Sequence, residues 1–199
     1  MRFVLASASP ARLATLRRAG VVPEVLVSGV DEAAVTARSA AELVQTLAAA
    51  KARAVGDRLR GPALVLGCDS LLEFDGRALG KPGTKAAAVA QWRAMRGRSG
   101  VLHTGHCLLD VDPGRAVTAV ASTTVRFAEV TDEEIELYCA TGEPAGVAGA
   151  FTIDGLGGWF VTGVDGDPHT VVGLSLPLLR RLLDELGHSL RGIGYPVRS

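Results

Sequence analysis

The chain opens with a strand that runs straight into a helix start, and no other segment constrains its fold as tightly. Phe3-Val4-Leu5 is a short apolar run of β type, followed at once by Ser7-Ala8-Ser9-Pro10. Ser9 predicts an N-cap, because its hydroxyl can take up a free backbone donor, and Pro10 suits the first helical position. Arg12 then falls in the first helical turn, where the dipole disfavours a cation. Beside two hydroxyls and exposed N–H groups, an arginine there makes sense if an anion binds. On this segment alone, a solvated arginine on an ordinary strand-to-helix turn is the better reading, so the rest of the chain must decide.

Gly20 predicts the end of that helix, and Val25-Leu26-Val27 reads as a second short strand. Ser39-Ala-Ala-Glu42 has the pattern of a capping box opening a long helix to about Leu59. Ala63 to Cys68 reads as a buried strand and Leu71 to Phe74 as another, turned by Asp75-Gly76. Thr84 predicts the cap of a helix through Met95. Val101–Val111 and Ala116–Phe127 read as long strands joined by Asp112-Pro113-Gly114. Thr131-Asp-Glu-Glu134 opens a helix to about Ala140, Trp159–Val164 reads as a strand, and a last helix runs from about Leu174 to Leu186. Its leucines suit either a core or an interface, and a core fits better. The tail after Gly187 is expected to fray or lie along the surface. Helices alternate with strands early and a long hairpin follows, which predicts an α/β fold with a mixed sheet.

The 199 residues, 48% hydrophobic, fit one domain or two small lobes. Lys+Arg and Asp+Glu are both 21, so nothing draws the chain to a nucleic-acid polymer or an anionic membrane. The apolar run after Arg2 is too short for a signal peptide, and no stretch approaches a membrane span. A cytoplasmic protein is expected. Cys68, Cys107 and Cys139 show neither zinc nor disulfide spacing and read as reduced core residues.

Three ionisable residues stand out by position. Asp69 directly follows Leu64-Val-Leu-Gly-Cys68, so its carboxylate is expected at the C-terminal exit of a buried strand, where α/β proteins build sites; a plain turn aspartate is the alternative. Lys51 falls inside the apolar stripe of Leu43, Val44, Leu47, Ala54 and Val55. It either meets an anionic partner, from the protein or a ligand, or snorkels past the edge of the core. Lys81 sits in Gly80-Lys-Pro-Gly83, where glycines allow close backbone approach and Pro82 stiffens the loop. Asp31-Glu32 adds carboxylates after the second strand. Three cations (Arg12, Lys51, Lys81) and two oxygen donors (Asp69, Glu32) suit a polyphosphate with a hard divalent metal. No Walker A loop or dinucleotide fingerprint is present. His103 and His106 are three apart on an expected strand and so face opposite ways, which argues against a histidine metal site.

With these residues in view, the chain resembles the Maf family of nucleoside triphosphate pyrophosphatases, once described as septum-formation inhibitors. The motifs that carry the resemblance run in order: Leu5-Ala-Ser-Ala-Ser-Pro-Ala-Arg12, Val30-Asp-Glu32, Lys51-Ala52, Asp69-Ser70, Leu79-Gly-Lys-Pro82, His103-Thr-Gly105, Gly142-Glu-Pro144, Ala148-Gly-Ala-Phe151 and Val171-Val-Gly-Leu174. The resemblance implies a single domain over residues 1–199, with an elongated, twisted mixed sheet in two lobes about a central cleft. It implies hydrolysis of a nucleoside triphosphate to the monophosphate and pyrophosphate, house-cleaning of unwanted nucleotides, and a divalent cation (Mg, Mn or Co) on Asp69 and Glu32. It makes Asp69 the proton acceptor and, with Glu32, Lys51 and Lys81, part of the catalytic set. Ser7, Ser9 and Arg12 become phosphate-site residues, and a homodimer is consistent with it. It links positions 11, 70 and 154 to base selectivity. Ala11, Ser70 and Asp154 stand there and match neither the dTTP/UTP nor the methylated-GTP pattern, so the reaction class carries over and the base does not. An inosine/xanthosine triphosphate pyrophosphatase is the competing enzyme. A non-catalytic nucleotide-binding regulator of cell division is the competing binder, and it would have no need of Asp69 and Glu32.

Overall fold

In the computed structural model, which describes residues 1–196, the opening unit forms as its capping residues require. Strand β1 (Arg2–Leu5) leads to helix α1 (Pro10–Arg18), and the Ser9 hydroxyl accepts from the Arg12 amide. Gly20, at φ +83°, ends the turn. Strand β2 (Glu24–Val25) is shorter than the expected Val25–Val27 strand and starts a residue earlier; it pairs with Val4 and Leu5, and the Leu26 amide makes a last bond to the Leu5 carbonyl. Helix α2 (Ala40–Gly56) starts on Ser39, but the Glu42 carboxylate accepts from the Arg38 amide instead of closing the reciprocal box on Ser39.

Strand β3 (Ala63–Phe74) is one continuous strand where two were expected. Asp69 therefore lies within the strand and not at its C-terminal exit. A polar residue is tolerated there because its carboxylate has a buried cation as partner. Asp75 and Gly76, at φ +48° and +70°, form the tight turn to β4 (Arg77–Leu79). Helix α3 (Lys85–Met95) starts on Thr84, β5 (Ser99–Asp110) and β6 (Arg115–Phe127) follow, and α4 (Asp132–Ala140) carries the complete Thr131/Glu134 capping box. Short 3-10 turns then occupy Glu143–Gly146, Ala148–Ala150 and Leu156–Phe160. The last of these replaces the start of the expected Trp159–Val164 strand, so β7 is Val161–Asp165. Helix α5 (Pro168–Val172) was not legible, and α6 (Leu176–Glu185) starts on Ser175. Up to Pro196 the tail lies along the surface, the second of its two expected courses: Leu190–Ile193 forms a further turn with Ile193 buried, and a Cβ on Gly20 would collide with Pro196.

The sheet order is β2-β1-β3-β5-β6-β7, with β4 paired on β3. β1 runs parallel to β2 and β3, whereas the β3–β4 and β6–β7 pairs are antiparallel, so the sheet is mixed. The chain divides into two compact units. One comprises Met1–Asp69, Thr104–Ala121 and the segment from Gly173; the other comprises Ser70–His103 and Ser122–Val172. In the first, Phe3, Leu5, Leu64 and Leu66 pack with the α6 leucines Leu178, Leu179, Leu182 and Leu183, which are thus core residues. In the second, Trp92 sits edge-on to Phe127, Tyr138 and Phe160. Among the described residues, no helix is long and apolar enough to cross a membrane.

Candidate active site

The first unit brings Ser7, Arg12, Lys51 and Asp69 into its interior, each less than a tenth exposed. Helix α2 delivers Lys51. It can lie close enough to the sheet because Gly67 on β3 and Gly105 on β5 lack side chains. A Cβ on Gly67 would overlap the Ala48 carbonyl, and one on Gly105 would overlap the Val44 carbonyl. Lys51 Nζ then donates to Asp69 Oδ1 at 2.6 Å and stands 2.6 Å from Glu32 Oε1. Of the two readings open in the sequence, the anionic partner is the one realised, and the protein itself supplies it.

Glu32 opens a short 3-10 turn capped by Asp31 and keeps more than half of its side chain exposed. Asp69 is different. Burial pushes its carboxyl above the usual 3.8, while the Lys51 charge and hydrogen bond, then Arg12, pull the other way. Two carboxylates in one cluster thus hold unlike environments, one buried and one largely exposed.

Arg12 does not extend into solvent. Its Nε donates to the Gly173 carbonyl at 2.8 Å and its Nη1 to Ser7 Oγ at 3.0 Å, so the side chain folds back over the start of α1. Ser7 Oγ also accepts from the Ser9 amide. Ser9 spends its hydroxyl on the helix cap, and Ala11, half-buried, contributes its carbonyl to Thr15. The result is a buried cation and two hydroxyls at a helix N-terminus, a suitable seat for an anion.

The remaining candidates belong to the second unit. Ser70 is half-buried on β3. Lys81 is exposed in the loop between β4 and α3. Asp154 is exposed and accepts from the Thr152 hydroxyl. His103 bonds Ser122 through Nδ1. His106 lies in the first unit and accepts from the Ser175 amide through Nε2. Burial raises the Cys68 thiol to about 12 and the Cys107 thiol to about 11, so neither is a ready nucleophile. Among the described residues no group of three or more His, Cys, Asp and Glu is placed to hold a metal. Asp69 and Glu32 do converge on a single positive charge, Lys51 Nζ. Two carboxylates completed by phosphate oxygens are a donor set that suits a hard divalent cation.

A family model described as Maf-like protein matches residues 2–186. The chain belongs to the Maf family. Two relatives, both named nucleoside triphosphate pyrophosphatase, are close to it in sequence. That of Salinispora tropica is 63% identical, over 97% of this chain and 87% of its own. That of Streptomyces coelicolor is 59% identical, over 98% and 96%. Among solved structures, the Staphylococcus aureus Ham1 protein aligns with 98% of this chain and 94% of its own, at 12% identity and a TM-score of 0.44.

Gly67 and Gly105 shape this candidate site but were not among the residues expected in it. For Gly67 a signal existed: a glycine inside an otherwise apolar strand marks close backbone approach. Gly173 lies in the Val171-Val-Gly-Leu174 motif, but a backbone acceptor leaves no trace in residue type, so the motif did not point to Arg12.

Proposed function

We propose that this Maf protein hydrolyses nucleoside triphosphates to the monophosphate and pyrophosphate, within a single functional domain, and clears unwanted nucleotides from the cytoplasm. The observation that carries the reading is Lys51 held between Asp69 and Glu32, with the Arg12–Ser7 pair in the same unit. Relatives at 63% and 59% identity named nucleoside triphosphate pyrophosphatase support it.

In this reading water attacks the α-phosphorus, the bond to the bridging oxygen breaks, and pyrophosphate leaves. Asp69 accepts the proton of the attacking water. Its raised pKa makes it a stronger base than an ordinary carboxylate. Lys51 keeps Asp69 oriented and offsets phosphate charge. Arg12, Ser7 and the α1 N-terminus bind phosphate oxygens, and Lys81 is assigned to the triphosphate by its Gly-Lys-Pro motif. The chemistry is mostly positioning and charge neutralisation, for which fixed cations are suited. A divalent cation (Mg, Mn or Co), held by Asp69 and Glu32, supplies water activation and further charge neutralisation when bound. Ala11, Ser70 and Asp154 are assigned to the base.

A pyrophosphate-release screen over standard and modified triphosphates, with magnesium, manganese and cobalt in turn, tests this. Turnover is expected with at least one substrate and none in folded Asp69→Asn protein. Full activity of Asp69→Asn overturns the assignment. A strong preference for deaminated purines moves it to an inosine/xanthosine triphosphate pyrophosphatase. Tight binding without turnover under every metal makes the protein a regulator.

A further inference from the structure

Gly142-Glu-Pro144 and Ala148-Gly-Ala-Phe151 have no part in the chemistry above, yet the second unit spends an unusual number of polar contacts on them. The Glu143 carboxylate accepts from three donors: the Tyr138 hydroxyl at 2.7 Å and the Leu156 and Gly157 amides, each at 2.9 Å. Glycines make room for it. A Cβ on Gly155 would overlap Glu143 Oε2, and one on Gly157 would overlap the Tyr138 hydroxyl. A carboxylate bonded on both oxygens by charge-assisted hydrogen bonds fixes its own backbone as firmly as its partners'.

The far end of the segment is anchored as well. Trp92 Nε1 donates to the Ala150 carbonyl at 2.8 Å. Ala150 holds φ +63°, a left-handed conformation that an L-residue keeps only when its surroundings over-determine it. Between the two anchors the segment grips the lysine loop twice. The Ala145 carbonyl accepts from the Gly83 amide, and the Gly149 amide donates to the Gly80 carbonyl, both at 3.0 Å. These bonds bracket Lys81-Pro82 on either side. Gly149 itself cannot carry a side chain, since a Cβ would meet the Leu72 side chain.

We infer that Glu143 is a positioning residue for Lys81, acting through the backbone of residues 145–149. The inference rests on the reading of Lys81 as a triphosphate ligand. An exposed lysine has many rotamers to lose when it contacts an anion; fixing the ends of its loop removes the backbone share of that cost before substrate arrives.

The test compares Glu143→Gln, Tyr138→Phe, Lys81→Ala and the Glu143→Gln/Lys81→Ala double variant, in the full chain. Gln keeps one acceptor oxygen but sets an NH2 group against a backbone N–H. Tyr138→Phe removes one of the three donors and keeps the ring, so it reports even if Glu143→Gln fails to fold. Hydrogen exchange at the Gly83 amide is expected to quicken in Glu143→Gln, and less so in Tyr138→Phe, while exchange in β1 and α2 stays unchanged. Pyrophosphate release from UTP and GTP with magnesium is expected to lose about ten- to a hundred-fold in kcat/KM in Glu143→Gln. The double variant is expected to be no worse than Lys81→Ala, because a misplaced lysine and an absent one lose the same contact. Native Gly83 exchange in folded variants, or losses that multiply in the double variant, would overturn the positioning role. Wild-type kcat/KM in Lys81→Ala would instead overturn the triphosphate role of the lysine, which the Gly83 readout tells apart.

Discussion

Lys51 Nζ lies 2.6 Å from Asp69 Oδ1, and both residues are about nine-tenths buried. A helix and a strand thus share one buried ion pair between residues 18 apart in sequence. Burying such charges is costly and a pair does not by itself stabilise a fold, but removing one partner strands the other. Lys51→Met is expected to lower stability by about 3–5 kcal/mol, less whatever Asp69 recovers by taking up a proton. Urea unfolding at pH 7 measures this.

The raised Asp69 pKa gives a pH dependence of definite sign. The folded state binds the Asp69 proton more tightly than the unfolded chain, so this group favours folding at low pH. That contribution is lost as pH rises from the unfolded value of 3.8 through the higher folded value. The stability of the wild type minus that of Asp69→Asn should therefore fall across this window and level off above it.

Glu32 should behave unlike Asp69, although both meet Lys51. Its side chain is 58% exposed, so water screens the pair. Glu32→Gln is expected to change unfolding free energy by no more than about 0.5 kcal/mol and yet to lower pyrophosphate release sharply at limiting metal. Recovery at high magnesium would identify the lesion as one of metal affinity.

Arg12 uses two different nitrogens on two acceptors, Gly173 O and Ser7 Oγ. A lysine has no fork to reproduce this. Arg12→Lys is expected to cost about 1–3 kcal/mol by leaving the buried Gly173 carbonyl short of a donor. It should also weaken triphosphate binding, read as a rise in KM.

The two glycines under α2 make the sharpest structural test. Gly67→Ala puts a methyl group into the Ala48 carbonyl and against the Ala52 amide, both backbone. Overpacking of this kind costs about 1–3 kcal/mol or more, because a helix must move. The shift would carry Lys51 away from Asp69, so activity should fall even in the fraction that stays folded. A normally active, normally stable Gly67→Ala protein would mean that the close approach does not matter.

Local chemistry made most of the elements legible. Ser9, Ser39, Thr84 and Thr131 all cap helices, and Asp75-Gly76 makes its turn, because such residues act on neighbours only a few positions away. The errors fell where distant partners decide. Asp69-Ser70 looked like a strand exit because polarity interrupts the apolar run, yet β3 continues through them once Lys51 neutralises the carboxylate. Val27 reads as strand by propensity, but β1 ends at Leu5, whose carbonyl takes the Leu26 amide, and no residue of it is left for Val27.

The sequence by itself determined the caps, the turns, the apolar faces and the identity of the reactive side chains, including the anomaly of a lysine in an apolar stripe. These follow from interactions within a few residues or from side-chain type. Only the tertiary structure decided that Asp69 and Glu32 share Lys51, that Arg12 folds back onto Ser7 and Gly173, and that Gly67 and Gly105 let α2 come close enough for this. Those facts depend on backbone separations between segments far apart in the chain. Residue order sets such separations only once the segments have packed.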